Sequence, residues 1–324
     1  MKYRKLGETG LLVSTIGFGG WGIGGNTANN TSYGETDDAV SLKALKHSAE
    51  QGITFYDTSP AYGEGHSEVL IGQALKHVRK DIVIATKAGY LNWSDPPDFS
   101  ADGIRRSVAG SLERLQTNYI DLLQLHNAPI DLLCSDPTIV GTLEALVIEG
   151  TIRAWGLSVK SPAEGVAAIE RFKPKVIQTN INMLDMRVAS SGLLDAATQE
   201  GTGLIARTPL CFGFLAGTLK PDSVFPPGDH RNGWSRKQIA RWLEGAEKMR
   251  DIADPERHST ASKTALRFCL SVPGVACSIP GIMTAEEATV NAVVGDSEPL
   301  DRLVYDKILE VNSSTDFVVP QSRA

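Results

Sequence analysis

The chain has 324 residues, a formal net charge of −6, 42% hydrophobic and 22% charged residues, which is typical of a globular protein with a sizeable core. Its four cysteines are scattered without a C-x-x-C pair, which argues against a disulfide framework and against structural zinc. The mild negative charge argues against a nucleic-acid partner. The sequence has no apolar run of about 18 residues, so we expect no membrane span. Its N-terminal segment is not apolar, so we expect no secretory signal and a cytoplasmic location.

In chain order, short apolar runs alternate with amphipathic stretches. Near-continuous apolar strands are typical of a parallel sheet that is covered on both faces. The strands are predicted at Val13–Phe18, Ile53–Thr58, Ile82–Lys87, Ile120–His126, Ile152–Val159, Lys175–Asn180, Thr202–Arg207 and Val275–Ile279. The helices are predicted at Asp37–Gln51, Ser67–Arg79, Ser100–Leu115, Pro137–Glu149, Pro162–Phe172, Leu193–Glu200, Ser235–Asp251 and Arg257–Leu270.

Eight strands alternating with helices predict an α/β protein, a (β/α)8 TIM barrel, with an open doubly wound sheet as the alternative. No linker interrupts the pattern, so we expect one domain over residues 1–324. The start of the chain is typical of a β-hairpin, with Tyr3–Leu6 and Leu11–Val13 joined by a turn, and we expect it at the barrel bottom.

Long loops are expected at the carboxyl face of the barrel. The interval after the seventh strand, about 208–274, holds a loop rich in Pro and Gly. Loops of this length in compact domains are usually functional or disordered. Phe225–Pro227 and the polar run Asp229–Asn232 therefore predict a mobile flap over a ligand, with a disordered insertion as the alternative.

The run Gly20–Gly25 satisfies the G-x-G-x-x-G pattern of dinucleotide-binding folds. That fingerprint must open a helix at once, whereas the loop NTANNTSYGET follows here, so we interpret the run as a loop at the barrel rim. The histidines have no metal-binding spacing and no G-x-S-x-G elbow occurs, so we expect neither a metal site nor a serine hydrolase.

Four polar residues lie at or just after the ends of apolar strands: Asp57, Tyr62, Lys87 and His126. Each residue alone has an equally good structural interpretation. Asp57 could cap a turn, and Tyr62 could be a half-buried aromatic residue. Lys87 could be a solvated strand end, and His126 a core histidine. Together they indicate a site, because a buried Lys87 needs a partner such as Asp57. The ammonium group is expected to lower the pKa of Tyr62 so that it exchanges a proton near neutral pH. His126 can donate a hydrogen bond to a substrate oxygen.

Several motifs make the resemblance specific, among them DTSPAYG, IVIATKAG, LQLHN, GLSV, VIQTNINML and SIPGIMTAEEATVNA. In order, they and their flanks cover nearly the whole chain, which resembles the aldo-keto reductases. The resemblance implies a (β/α)8 barrel that uses a nicotinamide cofactor without a metal. It also implies that Tyr62 is the general acid in carbonyl reduction and the base in alcohol oxidation. Lys87 then lowers its pKa, Asp57 holds Lys87 and His126 orients the carbonyl oxygen.

The same resemblance implies a cofactor site, with nicotinamide contacts first and adenosine contacts last. Its residues are Gly20, Trp21, Asp57, Ser158, Gln178, Arg207, Thr208, Pro209, Leu210, Gly213, Leu215, Gly217, Gly281, Met283, Glu287 and Asn291.

The chain departs from the family at several of these positions. Val159 follows the GLS serine where Asn is common, and Ile181 stands where Tyr is common. Arg207 replaces the aromatic residue that stacks on the nicotinamide, although a guanidinium plane can also stack. Ile282 and Met283 stand where a basic residue binds the 2′-phosphate of NADP, which weakens that preference. Part of the chain is also similar to the NAD-using sugar dehydrogenases. We therefore expect NADP(H) only narrowly ahead of NAD(H).

Substrate contacts are expected from loop residues at the mouth: Trp21, Trp93, Asn127 and Phe212. Aromatic side chains there suit a sugar or an apolar carbonyl compound. The sequence thus predicts an oxidoreductase for a small aldehyde, ketone, sugar or alcohol. A regulatory subunit resembling the potassium-channel β subunits, and an aldolase or isomerase that uses Lys87 as a Schiff base, remain as alternatives. The oligomeric state is open.

Overall fold

The computed structural model describes residues 1–27 and 32–317 and confirms the predicted barrel. Eight strands pair in parallel in chain order, each with its neighbour. They are β3 (Phe18–Gly19), β4 (Phe55–Asp57), β5 (Val83–Ala88), β6 (Ile120–His126), β7 (Ile152–Ser158), β8 (Val176–Asn180), β9 (Gly203–Arg207) and β10 (Val275–Ile279).

Helices cover the outside of the barrel, and the apolar faces of the strands pack against them. They are α1 (Asp38–Glu50), α2 (His66–Leu75), α3 (Ala101–Arg114), α4 (Ile130–Ser135), α5 (Pro137–Ile148), α6 (Pro162–Phe172), α7 (Arg187–Ser190), α8 (Leu193–Glu200), α9 (Arg236–Ala253), α10 (Ala261–Ser271), α11 (Ala285–Val294) and α12 (Arg302–Ser314).

The first and last barrel strands meet in a seam. Gly17 N–H donates to Ser278 O and Gly19 N–H to Pro280 O, both at 2.9 Å, and Ser278 N–H donates to Thr15 O at 2.9 Å. A Cβ added to Gly19 would lie 2.8 Å from Pro280 O, so a side chain there would force the backbones apart. These bonds close the sheet into a barrel and remove its open edges.

A hairpin closes the amino end of the barrel, as expected. Its strands β1 (Tyr3–Lys5) and β2 (Leu12–Ser14) are antiparallel. Leu6, Leu11 and Val13 pack in one apolar cluster with inward residues of seven barrel strands. The cluster's strand residues are Phe55, Val83, Ala85, Leu122, Ala154, Val176, Ile205, Ala276, Cys277 and Ile279.

The prediction of one continuous strand over Val13–Phe18 is wrong, because this stretch is divided between β2 and β3. The chain leaves the hairpin after β2, bonds to β10 from Thr15 onward and pairs with β4 only at β3. One apolar run thus serves two sheets, because its first part faces the hairpin partner and its last part pairs with β4.

Helix boundaries follow local signals where these exist. Ser161 caps α6 in a capping box with Glu164, and Pro162 takes the first-turn position. Helix α2 ends earlier than predicted, at Leu75, and a 3₁₀ segment with non-helical dihedrals at Val78 follows. Helices α4, α7, α11 and α12 were not predicted, and α4 and α7 are too short to show a period. In the described ranges, no helix has the length and apolar character needed to cross a bilayer.

Candidate active site

Asp57, Lys87 and His126 lie near the carboxyl ends of adjacent parallel strands, so they share one face of the barrel. Lys87 Nζ donates to Asp57 Oδ1 at 2.5 Å and to the carbonyl oxygen of Thr58 at 2.8 Å. The same ammonium group lies 4.8 Å from the centroid of the Tyr62 ring. Since only 1% of Lys87 is exposed, its charge is balanced inside the protein by Asp57 rather than by water.

The second oxygen of Asp57 is held by two amides. Oδ2 accepts from Gln178 Nε2 at 2.7 Å and from Gln124 Nε2 at 3.1 Å. Gln178 was expected to contact the cofactor, whereas Gln124 was missed. The signal for Gln124 was available, because it lies two residues before His126 in β6 and therefore faces the same interior. The carboxylate is thus fixed in a single orientation toward Lys87.

The expectation that Lys87 gives Tyr62 a net lowered pKa is wrong for this structure. Burial raises the pKa of Tyr62 above its usual value, and the nearby Lys87 charge only opposes that shift. The free-energy cost of burying the phenolate is larger than its stabilisation by the Lys87 ammonium group, and the Asp57 carboxylate also repels the phenolate. Tyr62 is therefore a neutral proton donor at neutral pH.

His126 is a buried, neutral imidazole. Burial, and then the charges of Lys87 and Arg207, lower its pKa well below the usual value. Its Nδ1 lies 3.3 Å from Ser59 Oγ, and its ring centroid lies 6.0 Å from that of Tyr62. The ring of Trp93 is 5.1 Å away. A neutral imidazole among aromatic rings can donate a hydrogen bond but does not supply a proton.

Arg207 spans the ends of neighbouring strands. Its Nε donates to Asn180 Oδ1 at 2.8 Å, and Nη1 donates to Ser158 Oγ at 2.8 Å and to Asn127 Oδ1 at 3.3 Å. Nη2 donates to the carbonyl oxygen of Val159 at 2.8 Å. Burial lowers the pKa of Arg207, yet a guanidinium stays protonated in proteins. The side chain is therefore a fixed positive charge in the site.

A cavity of about 430 Å³ opens above these residues. Most of the predicted cofactor residues line it: Gly20, Trp21, Asp57, Gln178, Arg207, Thr208, Pro209, Leu210, Gly213, Gly281, Met283 and Glu287. Ser158, Leu215, Gly217 and Asn291 lie outside its wall. Of the expected substrate residues, Trp21 and Phe212 line the cavity, whereas Trp93 packs on His126 and Asn127 contacts Arg207. Tyr33 and Thr218 also line it and were missed, and Arg231 of the predicted flap Asp229–Asn232 lines it too.

The wall beyond Arg207 is a tightly turned segment of backbone. Thr208, Cys211, Phe212 and Gly213 have φ values of 50°, 44°, 56° and 96°. The N–H groups of Cys211 and Gly213 donate to Thr208 O and Leu210 O, both at 2.9 Å, which holds the turns in place. At Gly281 a Cβ would have no other atom within 4 Å, so the cavity is open there and leaves room for a ligand.

The cavity is covered by two segments that are distant in sequence. Ser32 and Tyr33 form backbone bridges with Asp229, and the N–H of His230 donates to Ser32 O at 2.9 Å. The His230 ring lies 4.8 Å from that of Trp21. Residues of the predicted flap therefore do meet the cavity wall, in an ordered 3₁₀ turn at His230–Gly233.

Comparisons with known proteins agree with this geometry. The model of the aldo/keto reductase family matches residues 15–313. The chain is 32% identical to the aldo-keto reductase YhdN of Bacillus subtilis, over 100% of this chain and 98% of that one. It is 29% identical to a probable voltage-gated potassium channel subunit beta of Arabidopsis thaliana, over 97% of each. The holo form of an aldo-keto reductase from Bacillus halodurans superposes with a TM-score of 0.78, at 26% identity over 100% of both chains.

Proposed function

The chain belongs to the aldo-keto reductase family of nicotinamide-dependent oxidoreductases, and from that premise we propose that it interconverts a carbonyl compound and its alcohol with Tyr62 as the acid and base. The observation that carries the proposal is the buried Lys87–Asp57 ion pair beside the Tyr62 ring, at one wall of the cavity. In reduction, the Tyr62 hydroxyl gives its proton to the substrate oxygen. Lys87 then stabilises the phenolate that remains.

A bound nicotinamide supplies or accepts the hydride at the substrate carbon. The protein's own contribution is to hold the substrate oxygen between Tyr62 and the neutral imidazole of His126. The raised pKa keeps the Tyr62 hydroxyl protonated at neutral pH, which is the form that reduction needs. Oxidation needs the phenolate, so its rate should rise with pH while reduction proceeds at neutral pH.

The polar groups near α11 support NAD(H) over NADP(H), against the narrow expectation from the sequence. Glu287 accepts from the backbone N–H of Met283 at 2.7 Å and of Thr284 at 3.2 Å. These bonds form the capping box of α11, and they hold a negative charge in the cavity wall that would repel a 2′-phosphate placed near it. Among the described residues of the cavity wall, the cations are Arg207 and Arg231, and both are already bonded to protein groups.

The substrate is a small carbonyl compound, alcohol or sugar that fits between Trp21 and Phe212 on one side and Tyr62 on the other. Apolar ring faces suit the C–H faces of a sugar or an aromatic carbonyl compound. We propose screening aldehydes, ketones and aldoses in both directions.

The test is a Tyr62→Phe variant, assayed beside the wild type with the substrate panel and titrated with NADH and NADPH by tryptophan fluorescence. We expect turnover to fall about 10²–10⁴-fold, because the proton donor is lost. The cofactor Kd should stay unchanged, and NADH should bind at least as tightly as NADPH. Full activity of the variant would reject Tyr62 as the acid, and tighter NADPH binding would reject the proposed preference.

A second candidate function is a cofactor-binding regulatory subunit, which the similarity to a potassium channel subunit beta supports. Wild-type protein that binds the cofactor but turns over no member of the panel would favour it. The Schiff-base alternative is disfavoured by the charge of Lys87. Burial lowers the pKa of Lys87, but the Asp57 carboxylate opposes burial, and that pKa lies above its usual value. Lys87 therefore stays protonated, and a protonated amine is not a nucleophile.

A further inference from the structure

We propose that Arg207 makes the cavity bind the reduced form of a nicotinamide cofactor more tightly than the oxidised form. This inference rests on the proposed function and concerns a position where the family resemblance implies an aromatic residue. The two forms differ by one positive charge on the ring, so a fixed cation beside the ring discriminates between them.

The charges of the reaction centre do not cancel. Asp57 and Lys87 form a neutral pair at 2.5 Å. His126 is an uncharged ring. Arg207 adds one positive charge, and the groups that accept from it are amide, hydroxyl and carbonyl oxygens, all neutral. Within residues 1–27 and 32–317, no ion pair joins its guanidinium to a carboxylate.

Arg231 provides the contrast within the same cavity wall. Its guanidinium pairs with the buried carboxylate of Asp229, with Nη2 to Oδ2 at 2.6 Å and Nε to Oδ1 at 3.0 Å. That charge is cancelled locally. Of the two arginines that line the cavity, Arg231 has a carboxylate bonded directly to its guanidinium, whereas Asp57, Asp185 and Glu164 act on Arg207 only from a distance.

The position of Arg207 brings this charge to the reacting ring. A ring that exchanges hydride with a carbon whose oxygen is held by Tyr62 must lie within a few ångströms of that hydroxyl. Tyr62 and Arg207 line the same cavity, and they are close enough that the charge of Arg207 acts on the Tyr62 hydroxyl: burial raises the pKa of Tyr62, and Lys87 and Arg207 oppose that shift. Because a partly enclosed site screens charges less than bulk water does, the guanidinium repels an oxidised ring there.

The guanidinium cannot swing away to relieve the repulsion. Four hydrogen bonds hold it, to residues at or just after the ends of β6, β7 and β8, at 2.8 Å for Asn180, Ser158 and Val159 and 3.3 Å for Asn127. The reduced cofactor would thus be retained until it reacts, and the oxidised product would leave readily. Such a bias suits repeated carbonyl reduction.

The experiment is a fluorescence titration of the full chain with NADH and NAD⁺, and with NADPH and NADP⁺, for wild type, Arg207→Gln and Arg207→Lys. For the wild type we expect an oxidised-form Kd at least about tenfold above the reduced-form Kd, and for Arg207→Gln a ratio about tenfold smaller. Arg207→Lys keeps the charge and should keep most of the ratio. Lys80→Gln is the matched control, since it removes one exposed positive charge just before β5, at the amino end of the barrel.

A purely structural Arg207 gives a different result. Loss of its tethers would weaken both forms equally in Arg207→Gln and leave the ratio unchanged, which would overturn the inference. If Arg207→Gln does not fold, the wild type still decides, because equal or tighter binding of the oxidised form contradicts the proposal. Binding of neither form by the wild type would instead reject the proposed function.

Discussion

The two ends of this barrel use the same strands for opposite purposes. At the amino end, Leu6 and Val13 of the hairpin pack on inward apolar residues such as Phe55 and Ile205. At the carboxyl end, the same strands β4 and β9 finish with the buried Asp57 and the half-buried Arg207, two charges held in hydrogen-bonded networks. The amino end stabilises the fold by burying apolar side chains away from water. The carboxyl end lowers the stability of the fold, because it holds charged groups out of water beside the cavity.

This contrast predicts that substitutions at the two ends separate stability from activity. Changes at the carboxyl end should affect both, because a buried charge without its partner is costly. Changes at the amino end should affect stability alone.

The largest effect is expected for Asp57→Asn, which leaves Lys87 buried without its counter-charge. We expect a loss of about 3–5 kcal/mol in the free energy of unfolding, together with loss of turnover. Denaturant unfolding and a turnover assay measure the two quantities. The double variant Asp57→Asn, Lys87→Met should regain much of the stability but none of the activity. A single variant as stable as the wild type would contradict the buried ion pair.

At the amino end, Leu6→Ala should cost about 2–5 kcal/mol in the free energy of unfolding, because Leu6 is fully buried in the hairpin cluster. The kcat at a temperature where the variant stays folded should match that of the wild type. As a control, Leu12→Ala removes an exposed side chain of the same hairpin, at 58% exposure, and should cost far less. A reduced kcat in Leu6→Ala would show that the two ends are coupled.

The smallest effect concerns pH. The pKa of His126 lies well below 6.5 in the folded chain, so at lower pH the unfolded chain takes up a proton that the folded chain does not. Stability should therefore fall as pH decreases below about 6.5, by about 1 kcal/mol between about pH 7.5 and about pH 5.5. The His126→Asn variant should lack this part of the pH dependence in denaturant unfolding. An identical pH dependence in both proteins would rule out a neutral, buried His126.

Most of the architecture could be predicted because its signals are local. Apolar runs ending in Asp57, Lys87 and His126 indicated both the strands and the face on which the site lies. The division of the first strand could not be predicted, since an apolar residue looks the same whether it faces a hairpin or a barrel. Gln124 was missed although its position two residues before His126 in β6 placed it on the same interior face; what the sequence did not show was its bond to Asp57.

The cover of the cavity depends on contacts that no local pattern reveals. Tyr33 meets Asp229 across almost 200 residues of chain. Arg231 lies in the flap predicted at Asp229–Asn232, but its bond to the carbonyl oxygen of Phe212 needed the structure. The direction of the Tyr62 pKa also needed the structure, since the cost of burial depends on the surroundings of the ring and not on its sequence neighbours.

The seam between the first and last barrel strands also has a consequence for how the molecule is made. Thr15–Gly19 can bond to Ser278–Pro280 only after nearly the whole chain has been synthesised. Contacts between such distant parts of a chain form slowly, because a large loop must close first. Until then β3 and the strand made last are unpaired edges of the growing sheet, which are sites for aggregation. Ring closure is therefore expected to be a late step in the folding of this chain.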